Sequence, residues 1–198
     1  MSTLSELGAG SVLLVGAGKM GMALARGWIA AGLPAAALTL VDPKPATDVV
    51  VEVARWGATL ISQLLPETPR VVVLAVKPQV MADVLMNVRT VCGPETLVLS
   101  IAAGISLDAL AEGAGTGRVV RAMPNTPAQI GKGITGAIAG PGAGSGDRVV
   151  ADALLAAAGA VEWVAEEGLI DAVTAVSGSG PAYVFHLVEA LAAAGEAQ

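Results

Sequence analysis

Short aliphatic runs alternate with helical patterns along most of this chain, and that alternation limits the fold more than any other feature. Strands are expected at 11–16, 37–42, 58–62, 70–76, 96–101, 118–123, 134–140 and 161–165. Helical segments fall between them near 19–31, 47–56, 78–91, 106–113 and 145–158. Such spacing argues for a mostly parallel sheet with helices on both faces. The central runs, VVVLAV at 71–76 among them, are nearly continuous in Val, Leu and Ile, as doubly covered strands should be. Aromatic residues make up only 3%, so Ala, Val, Leu and Ile must build the core. The glycine-rich GPGAGSGD at 140–147 reads as a flexible turn rather than a domain linker.

The first expected strand runs straight into VGAGKMG, where Gly16, Gly18 and Gly21 form G-x-G-x-x-G. Gly16 permits a tight turn, Gly18 lets the backbone approach a pyrophosphate, and Gly21 lets the next helix lie close to the strand. Met20, Ala23, Leu24, Gly27, Trp28 and Ala31 then recur at helical spacing. The amides and dipole of that helix, starting near Lys19 and Met20, would face an anion. Together these features predict an α/β fold of the Rossmann type, a doubly wound, mostly parallel sheet binding a dinucleotide.

Asp42, in VDPKP, ends the second expected strand, about 20 residues beyond the glycines, where an acidic ribose ligand belongs. A carboxylate there accepts from both ribose hydroxyls and repels a 2′-phosphate, while Lys44 would partly offset that repulsion. NAD or NADP is the expected cofactor, with a lean to NAD. A solvated turn aspartate is the alternative.

The net charge of −6, with 14% charged residues, offers no basic face for nucleic acid. Mean hydropathy is +0.70, yet no apolar run approaches the roughly 18–20 residues of a membrane span. The N-terminal MSTLSELGAG has neither a basic start nor a long apolar stretch, so it does not read as a secretory signal. The single cysteine, Cys92, excludes an internal disulfide and fits a reducing, cytoplasmic setting. No nearby histidine supports a nucleophilic role for it.

After Glu166 the pattern changes. LIDAVTAV at 169–176 and AYVFHLVEALAAAG at 182–195 are both helical, with Val184, Leu187, Val188 and Leu191 on one face. Two helices do not make a domain. Either further chain or a partner must cover that face. The expected division is a dinucleotide-binding unit at 1–166 and the start of a helical unit at 167–198, the latter read as truncated.

Four further motifs, AVKPQ at 75–79, SIAAGIS at 100–106, VRAMPNTPA at 120–128 and AVSGSGPAYVF at 175–185, follow VGAGKMG in this order. From about residue 11 onward the chain thereby resembles pyrroline-5-carboxylate reductase. MPNTPA and SGSGPAY are far more specific than the glycine fingerprint. The resemblance implies reduction of the C=N bond of 1-pyrroline-5-carboxylate to proline with NAD(P)H, a Rossmann domain, and a helical domain that builds a homodimer or higher oligomer. It also places the loop Ala75, Val76, Lys77 and Pro78 along the nicotinamide ribose.

The residues carry their own readings. AVKPQ follows a central strand, at the carboxyl edge where ligands bind doubly wound sheets, although Lys77 could be merely solvated. Pro124 and Pro127 restrict Asn125 and Thr126, which suits either a rigid turn or a ligand-orienting residue. With the resemblance, Asn125 is expected at both cofactor and substrate. Ser177, Gly178, Ser179 and Gly180 precede Pro181 and the next helix. Their amides and hydroxyls are expected to form a carboxylate cradle at a positive helix end, with a simple N-cap as the alternative. His186, the only histidine, lies in an apolar helix and is given no acid–base role. Glu162, Glu166, Glu167 and Asp171 lack metal-ligand spacing.

The expected mechanism is geometric: hold the nicotinamide C4 about 3–3.5 Å from a protonated imine carbon, with no protein acid identified. Two rivals stay open. One is another imine or 2-hydroxyacid reductase, although a hydroxyacid enzyme would be expected to carry a later lysine, and none follows Lys132. The other is a nucleotide-binding module without catalysis.

Overall fold

A computed structural model describes residues 3–8 and 10–197; the expected outer limits of the two units, residues 1 and 198, lie outside them. The strands are β1 Val12–Val15, β2 Leu38–Val41, β3 Thr59–Ile61, β4 Val71–Leu74, β5 Leu97–Ser100, β6 Val119–Met123, β7 Gly133–Ala139 and β8 Gly159–Trp163. They form one sheet in the order β3-β2-β1-β4-β5-β6-β7-β8. All pairs from β3 through β6 are parallel. β7 turns back antiparallel to β6, and β8 follows β7 in parallel. The chain thus winds outward from β1 in both directions, and the order reverses between β1 and β4. That switch point is where such sheets open a crevice.

Strand alternation sorts the core into two layers. Val12 and Leu14 of β1, Val71 and Val73 of β4, and Leu97 and Leu99 of β5 pack beneath helices α1 (Lys19–Ala30), α2 (Thr47–Trp56) and α5 (Ser145–Ala156). Leu13, Val15, Val72, Leu74 and Val98 face the other way, against α3 (Met81–Val88) and α4 (Leu107–Ala114). Trp28, fully buried in α1, donates its indole N–H to the carbonyl of Leu154 in α5 at 2.7 Å. A buried indole needs that acceptor.

Two expectations move. The last strand begins two residues early, because its pairing with β7 starts at Gly133 opposite Gly159. The helix expected at 78–91 is a 3-10 turn, Pro78–Val80, feeding α3, with the proline where its missing N–H costs nothing. The turn at 140–147 is pinned: the Gly144 amide donates to Asp147 Oδ2 at 2.9 Å, and Asp147 also holds Arg118.

Beyond β8 come α6 (Gly168–Val173), a π-helical turn (Thr174–Gly178) and α7 (Gly180–Glu196). Ile170 anchors α6 in the core. On α7, Tyr183, Val184, Phe185, Leu187, Val188 and Leu191 are each more than half exposed.

Candidate functional site

The carboxyl ends of β1, β2, β3 and β4 frame an open cleft of about 810 Å³, with α3 as its far wall. Gly16, Gly18, Asp42, Ala75, Val76 and Lys77 line it, as do Ser62, Gln63, Leu64, Val80, Val84, Asn87 and Thr90. The second group went unread in the sequence. For Ser62–Leu64 the signal was positional only: they leave a strand at the same edge.

The three glycines have different causes. Gly16 adopts φ +99°, and a Cβ there would lie 2.7 Å from the Ala75 carbonyl oxygen. A Cβ on Gly21 would lie 2.1 Å from the Gly16 carbonyl oxygen, so helix and turn can close only without a side chain. Gly18 is different. It has an ordinary φ of −73° at the N-cap of α1, and nothing lies within 4 Å of its missing Cβ. The chain itself makes no demand for glycine there. That bare backbone, beside the first amides of a twelve-residue helix, leaves room for an anion the size of a pyrophosphate.

Asp42 holds the cleft's floor. Its Oδ2 accepts from the Ala17 amide at 3.0 Å and its Oδ1 from the Lys44 amide at 2.9 Å. One carboxylate therefore ties the glycine turn to the β2–α2 turn. Lys44 meets Asp42 through its backbone, and its exposed side chain is not on the cleft wall. Lys19 is exposed in the first turn of α1, while Met20 is half-buried against the core. Pro78 begins the turn into α3 and is exposed. Lys19, Met20, Gly21, Lys44 and Pro78 thus lie beside the cleft rather than on its lining.

A second cluster sits at the same sheet edge. β6 runs parallel to β5, so Pro124 and Asn125 emerge from the carboxyl side, three strand spacings from β1, about 14 Å. The short helix Thr126–Ile130 then packs on α1. Asn125 Nδ2 donates to Ser177 Oγ at 3.1 Å, and its Oδ1 accepts from the Ile134 amide at 3.0 Å. MPNTPA and SGSGPAY, distant in sequence, touch.

The helix-end cradle expected at Ser177–Gly180 needs correction. The segment is no free N-terminus; α6 continues through the π turn into α7. Ser179 donates both its amide, at 2.9 Å, and its hydroxyl, at 3.0 Å, to the Thr174 carbonyl. Wide i→i+5 bonding keeps the chain helical across residues that normally stop a helix. Of the two serines, Ser177 is the one whose hydroxyl faces Asn125.

The sequence also concealed Arg121. It is 4% exposed and pairs with Glu167 and Asp171, two of the acids that lacked metal-ligand spacing. Burial pushes the Cys92 thiol up to about 11. His186 is exposed on α7. Among the described residues no group of three or more His, Cys, Asp or Glu is placed to hold a metal ion. No helix there is long and apolar enough to cross a membrane.

Comparison with known proteins brings two family models. Residues 167–198 match pyrroline-5-carboxylate reductase dimerisation, and residues 11–104 match NADP oxidoreductase coenzyme F420-dependent. The pyrroline-5-carboxylate reductase of Pseudomonas aeruginosa is 41% identical over 93% of this chain and 68% of its own length. Among solved structures, the pyrroline-5-carboxylate reductase from Coxiella burnetii superposes with TM-score 0.83 at 30% identity, covering 94% of this chain and 70% of that one. The Plasmodium falciparum pyrroline carboxylate reductase, solved with NADP bound, gives 0.80 at 27% identity over 97% and 70% of the two chains.

Proposed function

The chain belongs to the pyrroline-5-carboxylate reductase family, and from that membership we propose that it reduces the C=N bond of 1-pyrroline-5-carboxylate to L-proline with NAD(P)H. The observation that carries this reading is the meeting of Asn125 and Ser177 at the sheet edge that also bears the glycine turn. The reduced nicotinamide, when bound, supplies the hydride. The turn at Gly16–Gly21 receives the pyrophosphate, and Ala75–Pro78 lies along the nicotinamide ribose. Asn125, Ser177 and the neighbouring Gly178–Gly180 hold the substrate beside it. Asn125 and Ser177 are neutral polar groups, so they can bond the substrate carboxylate without adding a competing negative charge, while both Ser179 donors are spent on the Thr174 carbonyl. The proton on nitrogen arrives with the substrate as its iminium form, so the protein's task is orientation.

Asp42 supports NADH over NADPH. Each oxygen spends one lone pair on a backbone amide, so the carboxylate is held in place on the cleft's floor. An acidic side chain at this position disfavours a 2′-phosphate, whereas ribose hydroxyls can donate to the remaining lone pairs.

The division at 166/167 separates the sheet unit from the helical arm. The exposed apolar residues of α7, together with the dimerisation match at 167–198, support a homodimer or larger homo-oligomer. A cytoplasmic setting accords with the single cysteine. The test is steady-state oxidation of NADH and of NADPH with and without pyrroline-5-carboxylate. Substrate-dependent turnover with proline as product is expected. Quenching of cofactor fluorescence without turnover would instead favour a binding module.

A further inference from the structure

We propose that Arg121 is a positioning residue: by clamping Glu167 and Asp171 it fixes the helical arm so that Ser177 meets Asn125. The proposal rests on the reading that Asn125 and Ser177 face the substrate.

The argument starts from strand alternation. Residues 121, 123 and 125 share one side of the β6 strand and its exit, while Val120 and Ala122 turn into the opposite core. Each of the three meets the arm. Arg121 Nη1 donates to Glu167 Oε1 at 2.9 Å and Nη2 to Asp171 Oδ1 at 2.6 Å. Gly178 packs on Met123, whose methyl group would be 2.6 Å from a Cβ at that position. Asn125 then bonds Ser177 at 3.1 Å. Ion pair, close packing and neutral hydrogen bond form a ladder along one strand.

Glu167 and Asp171 are four residues apart, on one face of the arm. A planar guanidinium gripping both fixes rotation about the helix axis as well as position. Glu167 Oε1 also accepts from the Leu107 amide at 2.8 Å, which ties the clamp to the start of α4. The π turn begins three residues after Asp171 and ends at Gly178. Rotation set at the clamp is therefore carried directly to Ser177.

Stability alone is a poor reason for this arrangement. Burying a guanidinium to reach partly exposed carboxylates adds little compared with an apolar side chain of similar volume, and Arg121 Nε is buried with no hydrogen-bond partner. What the fork provides that Leu or Met could not is a defined orientation of the arm.

The test uses the full chain with Asp171→Ala, whose side chain is 69% exposed and whose loss leaves the core intact, beside Glu167→Gln and Arg121→Lys. Hydrogen exchange at the Ser179 amide, bonded to Thr174, is followed with the kinetics. In Asp171→Ala that amide should exchange about tenfold faster while those of β1 and β4 are unchanged. KM for pyrroline-5-carboxylate should rise about five- to tenfold with NADH affinity within about twofold, and Arg121→Lys should fall between. In a Ser177→Ala background, Asp171→Ala should add no more than about twofold, because both act through one hydroxyl. Unchanged exchange at Ser179, faster exchange throughout the protein, or fully additive KM effects would overturn the proposal. If the native chain shows no turnover, the functional reading fails, and the exchange result still decides whether the clamp holds the turn.

Discussion

Asn125 uses both ends of its side-chain amide: Nδ2 donates to Ser177 at 3.1 Å, and Oδ1 accepts from the Ile134 backbone at 3.0 Å. The residue is thereby held between the start of β7 and the helical arm, with its orientation set by two partners of opposite kind. Asn125→Asp keeps the acceptor and the size but places a negative charge beside the expected substrate carboxylate. KM for pyrroline-5-carboxylate should rise by about tenfold or more, equivalent to about 1.4 kcal/mol, with NADH affinity nearly unchanged. Fluorescence titration and initial rates separate the two.

The glycines of the turn divide into two that the fold requires, Gly16 and Gly21, and one, Gly18, that no neighbouring atom of the chain requires. Gly18→Ala meets no atom within 4 Å, so its cost should stay within about 1 kcal/mol, the loss of a favourable N-cap. NADH binding should nonetheless weaken about tenfold or more, since a methyl group would stand where the pyrophosphate approaches. Gly21→Ala, with its Cβ 2.1 Å from a backbone oxygen, should cost several kcal/mol, roughly 3 or more. Thermal melts with and without NADH distinguish them.

Asp42 ties two turns together and, on the proposed reading, also selects the cofactor; its variants should split the two roles. Asp42→Ser retains a small acceptor but removes the charge; kcat/KM for NADPH relative to NADH should rise about tenfold or more. Asp42→Ala also frees the Ala17 and Lys44 amides and should weaken both cofactors. Equal NADH preference in wild type and Asp42→Ser would remove Asp42 as the discriminator.

Burial raises the Cys92 thiol from its ordinary 9.0 to about 11. The unfolded chain then loses this proton at lower pH than the folded one, so the contribution to stability is full below pH 9 and is lost as pH climbs to about 11. Denaturation curves should show a decline across that window that Cys92→Ala lacks. Native Cys92 should also react slowly with thiol reagents near pH 8.

The exposed apolar residues of α7 make an assembly prediction. Phe185 and Leu187 are 62% and 59% exposed, more apolar surface than a lone helix leaves in water without a partner. Sedimentation should show a homo-oligomer, and Phe185→Glu with Leu187→Glu should shift it toward monomer while leaving NADH binding in place.

The fold was legible because period and length both speak for strands such as VVVLAV: an apolar run of that length between helices has few options except a covered parallel strand. The glycine turn was legible because each glycine has a separate steric or ligand-based cause. Arg121 was hidden because it sits inside the apolar run RVVRAM, and its partners Glu167 and Asp171 look like surface acids until the arm folds back. The π turn was hidden for the opposite reason. Ser-Gly-Ser-Gly-Pro normally ends a helix, and only the Ser179-to-Thr174 bonds carry the helix across it. Asp42's grip on Ala17 and Lys44 involves backbone donors, which have no sequence signature at all.

The most direct measurement follows the transferred atom. Proline formed by this protein from pyrroline-5-carboxylate and NADH deuterated at the transferring C4 position should carry one deuterium at C5, with one NADH consumed per proline. Unlabelled proline, or cofactor and imine that bind together without exchanging the label, would contradict the claim that the two motif clusters bring hydride donor and imine carbon into contact.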